Sequence, residues 1–173
     1  MKTELNLLSS SLRIFKQYKK LADDAINQLS NDGLFWKPEP ESNSIAIILK
    51  HLSGNMLSRW TDFLTSDGEK EWRNRDGEFE AKNESVEDIL TNWEKGWNCL
   101  FEALEHLSEN DLGKIITIRN EPHSVMEAIN RQIAHYAYHV GQIVYLAKAI
   151  QSSQWETLSI AKGKSQEFNN KMK

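Results

Sequence analysis

Apolar residues recur at steps of three, four or seven along most of the chain, which is the spacing that places them on one face of an α-helix. This pattern predicts four long helices. The apolar face of the first runs from Leu5 to Leu29, and this helix is expected to end near Asn-Asp-Gly at 31–33, where glycine is a common stop signal. The second helix is expected from about Ser44 to Leu64.

Serines mark the starts of the other two predicted helices. Ser85 and Asp88 resemble a capping box, in which a hydroxyl and a carboxylate three residues apart each bond the other's backbone N–H. Ser124 and Glu127 repeat this spacing. The third helix is therefore expected from Ser85 through Leu104, and the fourth from Ser124 to about residue 150.

Three segments depart from the helical period. The run KIITI at 114–118 is short and β-branched, so it predicts one strand or a small hairpin. The connector 65–84 is polar and predicts a surface loop. The stretch 151–173 is also polar, and we expect a non-helical tail that packs on the bundle or leaves it. Three apolar side chains are expected to tether this tail: Trp155, Leu158 and Ile160.

Together these elements predict an all-α fold, a four-helix bundle with a short strand or hairpin between its third and fourth helices. The 173 residues are the length of a single domain with one hydrophobic core, so residues 1–173 are expected to form one domain.

Composition disfavours several classes of protein. No apolar run approaches the roughly 20 residues that span a bilayer, so no membrane partner is expected. The net charge of -4, without a basic run, disfavours nucleic-acid binding. The one cysteine, Cys99, cannot form an internal disulfide, and the first residues lack the uninterrupted apolar core of a secretory signal. Both features favour a cytoplasmic location.

Two histidines one turn apart are the most concentrated chemistry in the sequence. His135 and His139 lie four residues apart in the fourth predicted helix. Their Cβ atoms are then about 5–6 Å apart on one face, and two ring nitrogens can point at one ion. His51 in the second predicted helix can face them across the bundle. Three neutral imidazoles leave the fourth position of a zinc ion free, as in catalytic zinc sites.

The same histidines also fit a bundle without metal, because histidine is common on helix surfaces and a pair four apart can arise by chance. Helical geometry favours the metal hypothesis. At about 100° per residue the three histidines fall at the margins of the apolar faces, where solvent can reach a site. A histidine that only packs in the core is expected nearer the centre of such a face.

Polar neighbours of the histidines are candidate supporting residues. Arg131 and Gln142 share the histidine face of the fourth predicted helix, and Asn55 follows His51 by one turn. Such side chains can fix the orientation of a ligating imidazole, and Arg131 could hold an anionic substrate group. The alternative is that all three are solvated helix surface.

The strings LKHLSGN around His51 and AHYAYHVGQI around His135 and His139 resemble the DinB and YfiT-like superfamily of metal-dependent enzymes. The resemblance covers nearly all of the chain, and HLSGNMLSRWTDFL, DGEKEWRNRDGEFE and WETLSIAKGKS narrow it to an uncharacterised Bacillus-type subfamily. It implies an up-down-down-up bundle, a zinc or nickel ion on the three histidines, and a homodimer. Some relatives are transferases or isomerases that use bacillithiol, mycothiol or glutathione.

These observations lead to three hypotheses. The first is a metal-dependent thiol S-transferase of detoxification or stress response, in which a divalent ion, zinc first and nickel second, activates a small-molecule thiol against an electrophile. A metal-dependent hydrolase would use the same ion on water. The second is a non-catalytic metal-binding or dimerisation bundle, and the third is a bundle without metal. The sequence identifies no catalytic residue beyond the candidate ligands.

Overall fold

The secondary structure is known from a computed structural model, which describes residues 7–80 and 84–172. These residues form six α-helices and one two-stranded sheet. In chain order, the elements are α1 Leu7–Ile26, α2 Asn31–Phe35, α3 Ile45–Trp60, α4 Val86–Glu105, β1 Ile115–Ile118, β2 Glu121–Ser124, α5 Val125–Gln151 and α6 Ser165–Lys171. Short 3₁₀ turns lie at Asp76–Phe79, Glu109–Asp111 and Ser152–Gln154.

The four predicted long helices correspond to α1, α3, α4 and α5, and they form one bundle. Helix α3 packs along α4 and α1 packs along α5, while smaller α3–α5 and α1–α4 interfaces close the ring. All four helices contribute fully buried large side chains, among them Phe15, Leu49, Trp93, Trp97 and Tyr136. The all-α four-helix bundle is therefore confirmed. Within the described residues, no helix combines the length and the apolar character needed to cross a membrane.

Contacts between helices give their directions. Helix α4 runs antiparallel to α1 and parallel to α3, and α3 runs antiparallel to α5. The bundle is therefore up-down-down-up, as the resemblance implies. The pairs that define these directions are Lys16–Phe101 and Asp23–Trp93 for α1–α4, Ser53–Gly96 and Thr61–Cys99 for α3–α4, and His51–His139 and Trp60–Tyr136 for α3–α5.

Serine caps begin three of the bundle helices. The hydroxyls of Ser44, Ser85 and Ser124 each accept a hydrogen bond from the backbone N–H three residues later, at 3.3, 3.0 and 3.2 Å. Glu127 completes the last cap by accepting the backbone N–H of Ser124 at 2.7 Å. These bonds satisfy N–H groups that have no partner within the helix. The predicted starts of these helices are confirmed.

The predicted end of the first helix is wrong. Helix α1 ends at Ile26, and the Asn-Asp-Gly run at 31–33 begins the separate short helix α2. Its start is fixed by Ser30, whose hydroxyl accepts the backbone N–H of Gly33 at 3.3 Å. The glycine therefore lies inside a capped helical turn and does not stop a helix. Leu5, at the predicted start, lies outside the described residues.

The prediction that the C-terminal tail contains no helix is also wrong. Helix α6 is exposed and buries no residue, so it leaves no apolar period in the sequence. Local pairs stabilise it, Lys164 with Glu167 at 2.5 Å and Gln166 with Asn170 at 3.2 Å. Of the three expected tethers, Trp155 and Leu158 pack against the core, whereas Ile160 is exposed.

The predicted strand or hairpin is present as an antiparallel hairpin, in which Ile115 pairs with Ser124 and Ile118 with Glu121. Its two-residue turn, Arg119-Asn120, has positive φ at both positions, 57° and 63°. This is the geometry of a type I′ turn, which usually contains asparagine or glycine. Asp67 stabilises the turn by accepting the backbone N–H groups of Arg119 and Asn120 at 2.9 and 2.8 Å. The hairpin therefore anchors the connector between α3 and α4.

Candidate metal centre

Three imidazoles converge between α3 and α5. His51 lies one and a half turns into α3, and His135 and His139 lie one turn apart on α5. Nε2 of His51 is 3.4 Å from Nε2 of His135. The ring centroids are 5.0 Å apart for His51–His139 and 4.8 Å apart for His135–His139. One ligand atom from each of the three side chains lies within 4.8 Å of the others, so the group could hold a metal ion.

A buried carboxylate fixes the ring of His51. Glu78, in the connector, accepts a hydrogen bond from Nδ1 of His51 at 2.9 Å. Arg73 donates to the same carboxylate through Nε at 2.7 Å and Nη2 at 2.9 Å, a two-point contact. With Nδ1 donating to Glu78, the lone pair of Nε2 points toward the other two histidines.

The charge of Glu78 is maintained by these neighbours. Burial by itself would raise the pKa of this carboxyl group, but the hydrogen bonds from His51 and Arg73 and the positive charge of Arg73 lower it below its ordinary value. Glu78 and Arg73 are both deeply buried, with side chains 8% and 2% exposed. A paired, charged carboxylate therefore supports His51 from the side opposite the other two histidines.

The prediction that the connector is a polar surface loop is wrong for this part of it. The segment around the Asp76–Phe79 turn lies on α3 and contributes Glu78 and Arg73, and the Phe79 ring packs 4.8 Å from the ring of His51. Its length was the signal in the sequence, because connections longer than about 12–15 residues inside a compact domain are usually functional. Polarity alone did not show which of its charged residues are buried.

Gly54 lets this carboxylate approach α3. A Cβ atom at this position would overlap the carboxylate of Glu78, which already bonds His51 and Arg73. A helix interior is normally an unfavourable place for glycine, by about 1 kcal/mol relative to alanine. The close approach of Glu78 explains why the position suits glycine.

Gln142 lies where the sequence placed it, beside the histidine pair. Its Oε1 accepts a hydrogen bond from Nδ1 of His139 at 2.8 Å, so Nε2 of His139 keeps its lone pair. Burial lowers the pKa of His139, the bond to Gln142 partly opposes this, and electrostatic repulsion from His51 adds a smaller lowering. His139 is therefore held in the neutral form that a metal requires.

His135 is held neutral more strongly. Burial, with smaller contributions from electrostatic repulsion by His139, His51, Arg59 and Arg73, lowers the pKa of His135 to about 3. An imidazole that stays unprotonated at neutral pH has a lone pair available for a ligand. The expected position of all three histidines at the solvent margin holds only in part, because the connector covers His51 and leaves it 5% exposed.

The other two predicted supporting residues line a cavity of about 230 Å³ beside the centre. Asn55 is buried and its Oδ1 accepts the hydroxyl of Tyr136 at 3.1 Å, so it joins α3 to α5. Arg131 is exposed at the edge of this cavity. His51 and His135 form part of the wall. Asn55 and Arg131 therefore share this cavity with His51 and His135, and among the described residues neither is hydrogen-bonded to a histidine ring.

Cys99 lies away from the histidines, at the α3–α4 interface, where its Sγ is 3.6 Å from the hydroxyl of Thr61. Burial raises the pKa of this thiol above its ordinary value. The protonated form dominates at neutral pH, so Cys99 is a weak nucleophile.

Comparison with known proteins assigns the family. Residues 3–164 match the family described as "Protein of unknown function (DUF1572)". The chain belongs to the DUF1572 family. No curated protein matches the sequence of this DUF1572 member.

A solved structure has a similar fold. It is described as "Crystal structure of the conserved protein of locus from Enterococcus faecalis" and is 13% identical to this chain. The match has a TM-score of 0.62 and covers 83% of this chain and 96% of that one. At this identity the likeness concerns the fold alone.

Proposed function

We propose that this DUF1572 protein is a metal-dependent enzyme of the DinB and YfiT-like type. It binds a divalent ion, zinc first and nickel second, on His51, His135 and His139. Its reaction is the transfer of an electrophilic group to a small-molecule thiol of the bacillithiol class. The observation that carries the proposal is the convergence of three imidazoles from two helices beside a polar cavity.

The donor set fits such an ion. In a tetrahedral site with bonds of about 2.0–2.1 Å, two ligand nitrogens are about 3.3–3.4 Å apart. The Nε2 atoms of His51 and His135 are 3.4 Å apart. Imidazole suits both zinc and nickel, and three such ligands leave a position for another group. When bound, the ion supplies Lewis acidity, which makes a nucleophile of a thiol or of water at neutral pH.

The residues of the chain supply orientation and exclude water. Glu78 and Gln142 hold Nδ1 of His51 and His139 as donors, which leaves Nε2 of each ring free. Phe79 covers one side of His51 and limits access of water from the connector side. The cavity provides the entry, because His51 and His135 are part of its wall.

The proposed transfer conserves atoms and electrons. A sulfur–carbon bond forms between the thiol and the electrophile while the bond from that carbon to its leaving group breaks. The leaving group departs with the bonding electron pair, and the thiol proton is released to bulk water. No oxidant or reductant is required. A cytoplasmic location and a homodimer remain predictions of this proposal.

Metal analysis tests the first part of the proposal. Protein expressed without a histidine tag should contain about one divalent ion per chain, as a three-ligand site requires. His51→Ala and His135→Ala should lose it. His106→Ala is the matched control, since His106 is exposed at the end of α4. Equal metal content in all four proteins would contradict the assigned ligands.

Turnover tests the second part. Metal-loaded protein is mixed with bacillithiol and monochlorobimane, and conjugate formation is followed by fluorescence. We expect a rate above the uncatalysed one that is lost in His135→Ala and retained in His106→Ala. Hydrolysis of an ester panel without thiol would favour a hydrolase instead. Stoichiometric metal without turnover on either panel would favour a non-catalytic metal-binding protein.

A further inference from the structure

Arginine is concentrated around the cavity beside the histidines. The chain contains six arginines and 15 lysines. Five of the six arginines line this one cavity: Arg59, Arg73, Arg75, Arg119 and Arg131. Among the described residues, no lysine lines it. A surface that only needs positive charge for solubility can use either residue, whereas the planar guanidinium is suited to two-point binding of carboxylate and phosphate.

Internal ion pairs occupy three of these guanidinium groups. Glu69 bonds Arg59 at 3.1 Å and Arg119 at 3.0 Å, and Glu78 holds Arg73. Arg131 has no hydrogen bond or ion pair with any described residue. The cavity therefore has at least one guanidinium available to an incoming anion, and others that share a single carboxylate.

Two buried polar atoms at the cavity also lack a partner among the described residues. They are Nε of Arg59 and Oε1 of Gln132, and both residues line the cavity. Arg59 is 5% exposed and Gln132 is 3% exposed. A buried donor without a partner is costly, by the loss of its hydrogen bonds to water. Both atoms lie beneath the cavity surface, and Arg59 also belongs to its wall, so an oxyanion in the cavity would be close to the positive charge of this buried guanidinium.

The backbone at Arg119 adds an independent observation. Arg119 occupies a turn position with φ of 57°, where asparagine or glycine would be less strained. Its side chain reaches the cavity and Glu69. Backbone strain at a non-glycine residue is often found at functional sites, because the side chain is needed there.

We infer that this cavity binds the oxyanion group, a carboxylate or a phosphate, of a small substrate whose reacting part lies at the histidines. The volume of about 230 Å³ equals roughly eight water-sized groups. It therefore suits an acid group and the adjoining reactive carbon or sulfur, with the remainder of the ligand outside. The inference rests on the proposed function for the ion at the histidines, but anion binding can be measured without that ion.

Calorimetric titration of metal-free protein with inorganic phosphate and with succinate tests the inference. We expect binding of at least one of them, weakened about tenfold or more in Arg131→Gln. Arg131→Lys should recover only part of the affinity, because it keeps the charge but not the two-point geometry. Arg13→Gln is the matched control, an exposed arginine on α1 outside the cavity, and should match the wild type. Tighter succinate binding indicates a carboxylate substrate, and tighter phosphate binding a phosphorylated one.

Two results would overturn the inference: no binding of either anion by the wild type, or an equal loss of affinity in Arg13→Gln and Arg131→Gln. Circular dichroism of each variant excludes unfolding as the cause. Metal content, measured on the same proteins before chelation, separates this inference from the proposed function. If the protein contains metal but does not bind either anion, only the anion-site inference is refuted. If it binds an anion but contains no metal, only the proposed metal-dependent enzyme is refuted.

Discussion

Oε2 of Glu78 lies 2.9 Å from Nδ1 of His51, and both side chains are more than nine-tenths buried. The contact joins a helix of the bundle to a connector residue 27 positions later in the chain. This hydrogen bond makes the orientation of the His51 ring depend on how stably the connector is folded.

Glu78→Gln should weaken metal binding and destabilise the fold. Loss of a carboxylate that hydrogen-bonds a metal-ligating histidine typically lowers metal affinity 10- to 100-fold. Arg73, with a side chain only 2% exposed, would lose its two-point ion pair with Glu78 and keep only the longer pair with Glu69 at 3.7 Å, which costs up to about 3 kcal/mol. Competition with a chromophoric chelator measures the first effect and urea unfolding the second. Glu71→Gln, an exposed change in the same connector, should alter neither. Unchanged affinity in Glu78→Gln would refute the role assigned to Glu78.

Gly54→Ala should lower metal affinity although alanine favours helix formation. The added methyl group would displace Glu78 from His51. Gly141→Ala is the matched control on α5, because a Cβ there meets no atom within 4 Å. It should raise the free energy of unfolding by up to about 1 kcal/mol and leave metal affinity unchanged. Chelator competition measures the metal affinity of both variants, and urea unfolding measures their stability. Equal metal affinities in the two variants would contradict the role assigned to Gly54.

Tyr136→Phe should destabilise the bundle and leave metal content unchanged. The buried Tyr136 hydroxyl accepts Nε1–H of Trp60 at 3.1 Å and donates to Oδ1 of Asn55 at 3.1 Å. Phenylalanine would leave both partners buried without a hydrogen bond, at a cost of about 1–3 kcal/mol. Urea unfolding and elemental analysis measure the two quantities. Tyr138→Phe, at an exposed position of the same helix, is the control. Loss of metal in Tyr136→Phe would show that this network also positions the histidines.

Asp67→Asn should lower stability at neutral pH. Burial by itself would raise the pKa of Asp67, but hydrogen bonds from the backbone N–H groups of Glu69, Asn120 and Arg119 and from the side chain of Thr117 lower it to about 2. The substitution weakens these bonds, and we expect a loss of about 1 kcal/mol.

The pH dependence of this loss follows from the sign of the shift. The pKa is lower in the folded state than its ordinary value of 3.8, so the stabilisation is fully present above about pH 4. It is lost as the pH falls from about 4 toward 2, because the unfolded chain binds the proton first. Urea unfolding across this pH range should show that the difference in free energy of unfolding between wild type and Asp67→Asn decreases as the pH falls. A gap that stays constant down to about pH 2 would contradict the assignment.

The sequence by itself determined the helical framework. The apolar period located α1, α3, α4 and α5, and the serine caps located three of their starts, because both signals come from residues within one or two turns of each other. The spacing of His135 and His139 placed two imidazoles on one face for the same reason. Local signals were weak where no apolar face is buried, and α6 was missed there.

Only the tertiary structure decided what surrounds the histidines. Glu78 and Arg73 look like any charged residues of a polar connector, and the five cavity arginines come from α3, the connector, the hairpin turn and α5. Their meeting depends on how the hairpin holds the connector against α3, through Asp67 and through the bond from Gly68 N–H to the carbonyl of Thr117 at 2.8 Å. Contacts between residues so far apart in the chain depend on packing geometry, which no local pattern of residues records.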